Sequence, residues 1–415
     1  MFEQFDLNQE LLGAVQQAGF KKPTSIQALV LPEAMAGKDI LASAPTGTGK
    51  TAAFVLPAAQ HLLDYPRRGA GFPRVLILSP TRELALQTHQ QTEKLTSLTH
   101  IKTGVITGGV NYGSHKDILN STTDIVIATP GRLLDYIENE QFDARDIEIL
   151  ILDEADRMLD MGFADTINRI IAEARWRKQT MLFSATLEGA GVIRFAKEVL
   201  ENPIYLESHP SRKEKAKIHQ WIHLADDKNH KYQLLVNILK QDDVKRAVVF
   251  ANKRETVQLL SGKLQSDEVP CAWLEGQMPQ DKRNNAVARL RDEKVNVMVA
   301  TDVAARGLDI DDITHVINFD IPYKADIYLH RIGRTGRAGN KGTAISLVEA
   351  HDMLVIAKIE RYMGEKLPRR IIEGLRPKYK EAKIPLKKPK VKKSKAQKKA
   401  KAKKIAKRKS SKVKK

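Results

Sequence analysis

The sequence contains little of what secreted and membrane-spanning proteins require. Its 415 residues include one cysteine, Cys271, which excludes an internal disulfide framework and favours a reducing compartment. No apolar segment follows a basic N-terminal start, and there is no run of 18 or more apolar residues. These features predict a cytoplasmic protein that has no membrane partner.

Acidic residues are absent from segment 382–415, which contains 18 lysines and arginines. The rest of the chain carries 51 basic and 50 acidic residues, so this segment supplies nearly all of the net charge of +19. The segment has no aromatic side chain for base stacking, so we expect sequence-independent attraction to phosphates. The alternatives are a solubilising tail and a basic import signal. Apolar periodicity is lost from about Arg376, so residues 376–415 are predicted to be a lysine-rich disordered tail.

The length and the apolar pattern predict two domains. In each half, short β-branched runs alternate with longer helical patterns, which is typical of a parallel sheet covered by helices. Polar residues interrupt this pattern after Leu206, so we expect an α/β fold with domains at 1–206 and 218–375 and a linker at 207–217. Strands are predicted at Asp39–Ala44, Val75–Ser79, Ile125–Thr129, Ile149–Asp153, Thr180–Ser184, Ala247–Ala251, Val297–Thr301, His315–Phe319 and Thr343–Val348.

Two strings that follow predicted strands indicate a nucleotide site. In Ala44-Pro45-Thr46-Gly47-Thr48-Gly49-Lys50-Thr51 the glycines let backbone N–H groups approach phosphate oxygens, and Lys50 adds positive charge. A strict phosphate-loop pattern has glycine where Ala44 stands, but the Gly49-Lys50-Thr51 core is intact.

The second string, Asp153-Glu154-Ala155-Asp156, follows four apolar residues, so Asp153 is expected as an exposed carboxylate at the end of a buried strand. Thr51 and Asp153 offer the oxygen ligands that Mg²⁺ prefers. Glu154 suits the orientation or deprotonation of an attacking water. The two strings together predict hydrolysis of a magnesium-bound nucleotide.

A third string, residues 330–337, places a histidine and three arginines within eight residues of the second half. Three cations this close repel one another unless an anion lies among them. Arg334 and Arg337 are three residues apart, so on a helical turn they share one face and can reach a triphosphate bound to the other domain. The alternative is a basic surface patch for RNA.

With these motifs, the chain resembles the DEAD-box ATP-dependent RNA helicases of superfamily 2. Gly19-Phe20-Lys21-Lys22-Pro23-Thr24-Ser25-Ile26-Gln27 matches the family's adenine-recognising motif, and Phe2 lies 17 residues upstream, where the family has an aromatic. Further matches follow in the family's order: Pro80-Thr81-Arg82-Glu83-Leu84, Gly108-Gly109, Thr129-Pro130-Gly131-Arg132, Ser184-Ala185-Thr186, Gln280 with Arg283, Ala300-Thr301-Asp302 and Arg306-Gly307-Leu308-Asp309.

The resemblance implies two tandem RecA-like domains, ATP and Mg²⁺ as cofactors, RNA as partner, and a role for each matching residue. Nucleotide binding is implied for Phe2, Phe20, Gln27, Thr46, Gly47, Thr48, Gly49, Lys50, Thr51 and Asp309. Catalysis is implied for Lys50, Asp153, Glu154 and two arginine fingers, Arg334 and Arg337. RNA contacts are implied for Pro80, Arg82, Gly108, Gly109, Thr129, Arg132 and Thr301. Coupling between the nucleotide and RNA sites is implied for Asp156, Ser184, Thr186 and His330.

One departure concerns Glu275-Gly276-Gln277, where the family often has His-Gly-Asp. It leaves open the contacts usually made by that histidine and aspartate. This variant, the segments 176–180 and 219–221 and the basic tail are similar to a bacterial subgroup associated with assembly of the large ribosomal subunit. Precursor ribosomal RNA, with ribosomal proteins or pre-ribosomal particles, is therefore the implied partner.

The predicted function is local unwinding of short or structured RNA, driven by closure of two lobes around ATP and RNA. The alternatives are an ATP-gated RNA clamp and a DNA translocase.

Overall fold

The computed structural model describes residues 1–44, 47–67, 69, 71–109, 115, 118–119, 122–184, 190–208, 218–276, 278–305, 313–336 and 341–378. These residues all belong to one compact unit. Predictions outside the described residues concern Thr46, Thr186, Asp309, Arg337, the linker from 209 to 217 and the tail from 379 onward.

The first domain contains a seven-stranded sheet in which every pairing is parallel, with the order β3-β4-β2-β5-β6-β1-β7. Its strands are β1 Ile40–Ser43, β2 Val75–Leu78, β3 Thr103–Ile106, β4 Ile125–Ala128, β5 Ile149–Leu152, β6 Gln179–Ser184 and β7 Ile204–Glu207. Ile77 packs into the core on one face of the sheet, while Leu76 and Leu78 pack into the core on the other face. The central strands are apolar throughout because both faces are covered.

The second domain contains a six-stranded parallel sheet with the order β10-β11-β9-β12-β13-β8. Its strands are β8 Ile218–Leu224, β9 Ala247–Phe250, β10 Cys271–Leu274, β11 Val297–Ala300, β12 His315–Asn318 and β13 Gly342–Val348. Val249 and Val299 lie in the core on one face, and Val248 and Met298 lie in the core on the other.

Helices cover both sheets. In the first domain they are α1 Gln9–Gln17, α2 Ser25–Met35, α3 Lys50–Asp64, α4 Arg82–Leu95, α5 Pro130–Glu138, α6 Ala155–Asp160, α7 Ala164–Glu173 and α8 Ala190–Val199. In the second domain they are α9 Lys228–Leu239, α10 Arg254–Ser266, α11 Gln280–Arg291, α12 Asp302–Ala305, α13 Ala325–Ile332 and α14 Met353–Met363. Among the described residues, no helix is both long enough and apolar enough to cross a bilayer.

The two parallel sheets confirm the predicted fold class, and each predicted strand is present with small shifts at its ends. Most predicted strands extend one residue too far at the carboxyl end, where residues such as Ser79 and Asp153 already belong to the following loops. Strands β3, β7, β8 and β10 were not predicted. β8 contains His219 and Gln220, because an edge strand tolerates polar side chains that a central strand does not.

The strand order determines which loops meet. β2, β5, β6 and β1 are consecutive neighbours in the first sheet, and Ser43 of β1 pairs with Ser184 of β6. Because all strands are parallel, their carboxyl ends lie at one edge, and the segments that begin at Ala44, Ser79 and Asp153 leave the sheet side by side. Ligands of open parallel sheets bind at this edge.

Candidate active site

The phosphate-binding loop connects β1 to α3 and bends at two glycines. Gly47 and Gly49 have φ angles of 79° and 85°, in the left-handed region that glycine adopts without steric cost. α3 begins at Lys50, so the unpaired N–H groups and the positive dipole end of the helix lie at the loop, and Thr51 is its second residue. Lys50 is buried, and its Nζ donates a hydrogen bond to the Ala44 carbonyl at 2.9 Å. The loop therefore has the donors and the charge for binding a phosphate.

Gln27 joins the start of α2 to this loop. Its Oε1 accepts a hydrogen bond from the Thr24 N–H at 2.9 Å, and its Nε2 donates to the Gly49 carbonyl at 3.0 Å. Gln27 is fully buried, and a Cβ on Gly49 would lie 2.5 Å from its Nε2. Gln27 thus supports the shape of the phosphate loop, a contact that sequence reasoning missed. Its recognition of adenine stays a prediction.

The two aromatic residues expected near adenine lie together. The rings of Phe2 and Phe20 are 6.3 Å apart between centroids and meet edge to face at 90°. A cavity of about 370 Å³ borders both rings and Gly19, which is within the size range of small-ligand sites. Phe2 is buried in this cluster. Its stacking on adenine stays a prediction.

Asp153 follows the last residue of β5 and is buried, so the prediction of an exposed carboxylate is wrong. The physical reason is that charged neighbours surround the strand end. Burial and then repulsion from Glu154 raise the pKa of Asp153 to about 7, against the opposing attraction of Lys50 and Arg157. A divalent cation favours the ionised form of such a carboxylate, so Asp153 fits Mg²⁺, and the part of Thr51 as a further oxygen ligand stays a prediction.

Glu154 is held in an unusual conformation at the start of α6. Its φ angle of 52° is in the left-handed region, which costs a residue with a Cβ roughly 1–3 kcal/mol. Its Oε2 forms an ion pair with Nη1 of Arg157 one helical turn later, and both side chains are buried. Nearby, Asp156 Oδ1 is buried without a hydrogen-bond partner among the described residues, and burial raises the pKa of Asp156. These strained and under-bonded groups are typical of a functional site.

The arginine-rich string of the second domain begins near the end of α13. This helix ends at Ile332, and Arg334 lies in the turn that follows it. The shared face of Arg334 and Arg337 stays a prediction, because Arg337 lies outside the described residues. Arg334 is buried, and its Nε donates a long hydrogen bond of 3.4 Å to the His330 carbonyl.

Arg331, which received no role in the sequence reasoning, is the most enclosed side chain of this string. It is 1% exposed, and its Nε and Nη2 donate to the Asp302 carboxylate at 2.6 and 2.7 Å. Further acceptors are Oδ1 of Asn252 at 2.7 Å, Oδ1 of Asn318 at 3.1 Å and the Asp320 carbonyl at 2.6 Å. The anion beside Arg331 is thus a carboxylate of the same domain, Asp302, and not a bound ligand.

Side chains of the two domains meet at a cavity of about 20 Å³. Arg157 lines it from the first domain, and Asp302, His330 and Arg334 line it from the second. Two ion pairs also join the domains. Arg283 Nε lies 2.6 Å from Glu83 Oε1, and Lys324 Nζ lies 3.3 Å from Asp160 Oδ1.

The residues expected to contact RNA in the first domain are partly brought together. Arg82 donates to the Gly109 carbonyl at 3.2 Å, and the Gly108 N–H donates to Thr129 Oγ1 at 3.2 Å. Arg132 is 3.9 Å from Asp135 in an ion pair on α5. Pro80 is buried in the loop that precedes α4.

The remaining predicted residues are buried at strand ends or at the domain contact. Thr301 follows β11, and its hydroxyl is buried without a hydrogen-bond partner among the described residues. Ser184 is the last residue of β6 and is fully buried, and His330 lines the cavity between the domains. The RNA-binding and coupling roles of all these residues stay predictions.

Sequence reasoning also missed Arg157, the partner of Glu154. Its position three residues after Glu154 was the available signal, because residues at this spacing share one face of a helix.

The other acidic cluster of the second domain is already neutralised. Glu349, His351 and Asp352 lie close enough to share a cation. However, Nζ of the buried Lys231 lies 3.1 Å from both Glu349 Oε1 and Asp352 Oδ2. A lysine thus provides the positive charge that a metal would provide there.

Comparisons with known proteins agree with the motifs and with both domains. Residues 24–195 match the model for the DEAD/DEAH box helicase family, and residues 230–339 match that for the helicase conserved C-terminal domain. The chain is 54% identical over 396 residues to the ATP-dependent RNA helicase SrmB of Haemophilus influenzae, covering 95% of this chain and 90% of that protein. It is 56% identical over 377 residues to SrmB of Escherichia coli, covering 91% and 85%.

Solved structures show the same two-domain fold. Dbp5 of S. cerevisiae bound to RNA and ADP BeF3 matches with a TM-score of 0.79 and 29% identity, covering 89% of this chain and 95% of that chain. Mss116p bound to ssRNA and AMP-PNP matches with a TM-score of 0.77 and 27% identity, covering 89% and 78%. The resemblance inferred from the motifs is confirmed, including the bacterial subgroup, which is that of SrmB.

Proposed function

This chain belongs to the DEAD/DEAH box helicase family and is an ATP-dependent RNA helicase, and on this premise we propose that it opens short or structured RNA locally by closing two lobes around ATP and one RNA strand. Domain 1 and domain 2 are these lobes. A cytoplasmic location and a role in large-subunit assembly belong to the same proposal, and the names of the SrmB relatives support the second.

The first domain supplies most of the ATP site in this proposal. Lys50 pairs with the terminal phosphates, while the Thr51 hydroxyl and the Asp153 carboxylate hold Mg²⁺, which supplies positive charge beside the phosphate oxygens. Glu154 orients or deprotonates the attacking water. Phe2, Phe20 and Gln27 bind adenine, and the phosphate-loop residues contribute backbone donors.

The second domain supplies the charge that completes the site. Arg334, together with Arg337, approaches the terminal phosphate as negative charge develops on its oxygens. The supporting observation is that Arg334 and His330 share a cavity with Arg157, whose carboxylate partner is Glu154. The matches to Dbp5 and Mss116p, both bound to RNA and a nucleotide analogue, also support a closed arrangement.

RNA contacts in this proposal go to phosphates and 2′-hydroxyls. Binding of this kind tolerates many sequences and distinguishes RNA from DNA. Closure bends the bound strand, and unstacking a base step costs a few kcal/mol, which suits the opening of short helices. The basic segment 382–415 holds the enzyme near structured RNA, with a salt dependence of about −0.7 per neutralised phosphate on a single strand.

The decisive experiment compares ATP turnover with and without RNA in the full chain and in Glu154→Gln. We expect strong stimulation by RNA and near-complete loss of turnover in the variant. Turnover that is indifferent to RNA, or an active Glu154→Gln protein, contradicts the assignment. Stimulation by DNA equal to that by RNA indicates the translocase alternative.

An ATP-gated RNA clamp is the competing function, and the two ion pairs between the domains favour it. The assay is strand displacement on a short RNA duplex, compared with RNA residence time in a non-hydrolysable ATP analogue. A helicase displaces the strand at the rate of ATP turnover. A clamp retains RNA for long times and displaces little.

The ribosomal part of the proposal needs a cellular test. Crosslinking and sequencing of bound RNA is expected to recover precursor ribosomal RNA of the large subunit. Deletion of 382–415 is expected to flatten the salt dependence of RNA binding and to leave turnover at saturating RNA nearly unchanged.

A further inference from the structure

Arg157 differs from the other enclosed arginine of the domain contact. Arg157 and Arg331 are 3% and 1% exposed. Arg331 makes five hydrogen bonds to side chains and carbonyls. Arg157 pairs with Glu154, and its Nε has no hydrogen-bond partner among the described residues. A buried guanidinium whose Nε lacks a hydrogen-bond partner costs stability, so its presence suggests a reason other than the fold.

The location of Arg157 supplies that reason. Its Nη1 forms an ion pair with Oε2 of Glu154, and Glu154 is fixed in a strained left-handed conformation at the same helix start. Arg157 also borders the cavity that is lined by His330 and Arg334 of the second domain. One guanidinium thus touches the carboxylate expected to act on water and the surface of the domain that must close.

We propose that Arg157 is a positioning residue, which holds the Glu154 carboxylate by one oxygen and orients it for the water when the second domain is seated. The inference rests on the proposed role of Glu154 in ATP hydrolysis. Arg157 touches neither water nor phosphate in this mechanism, so it acts entirely through Glu154. Its loss should affect the rate of hydrolysis and not the binding of ATP or RNA.

The test measures kcat and KM for ATP at saturating RNA in Arg157→Met, Arg157→Lys and the full chain. A carboxylate displaced by about 1 Å loses rate on the order of 10²-fold, so we expect kcat of Arg157→Met to fall by that factor with KM unchanged. Arg157→Lys keeps the charge and should recover part of the rate. Arg194→Met is the matched control, since Arg194 forms an exposed ion pair with Glu198 within α8.

A double variant separates positioning from a general structural role. If Arg157 acts through Glu154, adding Arg157→Met to Glu154→Gln causes no further loss of turnover. Affinity for a non-hydrolysable ATP analogue reports whether the first domain of each variant is folded. If Arg157→Met does not fold, the kcat of Arg157→Lys provides the test. If Arg157→Met has an unchanged kcat and Glu154→Gln is inactive, only the inference about Arg157 is wrong. If Glu154→Gln is active, the proposed function is wrong.

Discussion

Replacing Arg331 by methionine should destabilise the second domain strongly. Arg331 is buried, binds the half-buried Asp302 at 2.6 and 2.7 Å, and also donates to Asn252, Asn318 and the Asp320 carbonyl. Removing one partner of a buried ion pair costs about 3–5 kcal/mol, because the remaining charge stays buried without compensation. The expected loss of unfolding free energy is therefore in that range.

The tryptophans make this loss measurable in one domain. Trp176 lies in the first domain, while Trp221 and Trp273 lie in the second, so in a Trp176→Phe background the fluorescence reports the second domain. Denaturant unfolding of Arg331→Met is compared with Lys294→Met, which removes an exposed ion pair with Asp292 and should cost under about 1 kcal/mol.

The double variant Arg331→Met with Asp302→Asn tests the cause. Because it buries no unpaired charge, its loss of stability should be smaller than the sum of the single losses by about 1–3 kcal/mol. A cost below about 1 kcal/mol for Arg331→Met, or strictly additive losses, would refute the reasoning.

Three further outcomes follow from the described contacts. Burial tends to raise the pKa of Glu148, but hydrogen bonds from Arg74, His61 and Lys178 outweigh this effect and lower the pKa from 4.5 to about 2. Ionised Glu148 contributes roughly 1–2 kcal/mol to the free energy of unfolding, after a discount for its partial exposure. This contribution is present above about pH 4.5 and is lost as the pH falls towards 2. The stability of Glu148→Gln in urea should therefore depend less on pH in this range than that of the unchanged protein. Gly49→Ala should abolish ATP turnover, since φ is 85° there and the added Cβ lies 2.5 Å from a side-chain nitrogen. Burial raises the pKa of Cys271 to about 11, so a thiol reagent at about pH 8 should label it only after unfolding.

The central strands were predictable from the sequence because burial on both faces of the sheet requires a continuous run of apolar residues. β5 reads Ile-Leu-Ile-Leu over Ile149–Leu152, and all four residues are buried because helices cover both faces. β8 and β10 are the two edge strands of the second sheet, and β8 carries His219, Gln220 and His223, so its pattern was not distinctive. Apolar patterns report burial, and they therefore identify central strands better than edge strands.

The candidate site was predictable where its residues are neighbours in the chain. Lys50 and Thr51, or Asp153 and Glu154, form local strings with recognisable chemistry. The ion pair between Arg283 and Glu83 spans 200 residues and two domains, so no local pattern reports it. The burial of Asp153 was also not predictable from the sequence, because the charged groups around it come from different elements.

Arg331 and Arg334, the two described arginines of the string 330–337, have different surroundings that the sequence alone does not reveal. Arg331 is engaged by a carboxylate, two amides and a carbonyl, so moving it to a ligand would leave the half-buried Asp302 without this ion pair. Arg334, three residues later, lies beyond the helix, and both arginines line the cavity that Arg157 also borders. A guanidinium in a bidentate ion pair within its own domain cannot serve a transient charge without breaking that pair. Substitution of Arg331 should therefore appear first as lost stability, and substitution of Arg334 as lost turnover in a folded protein.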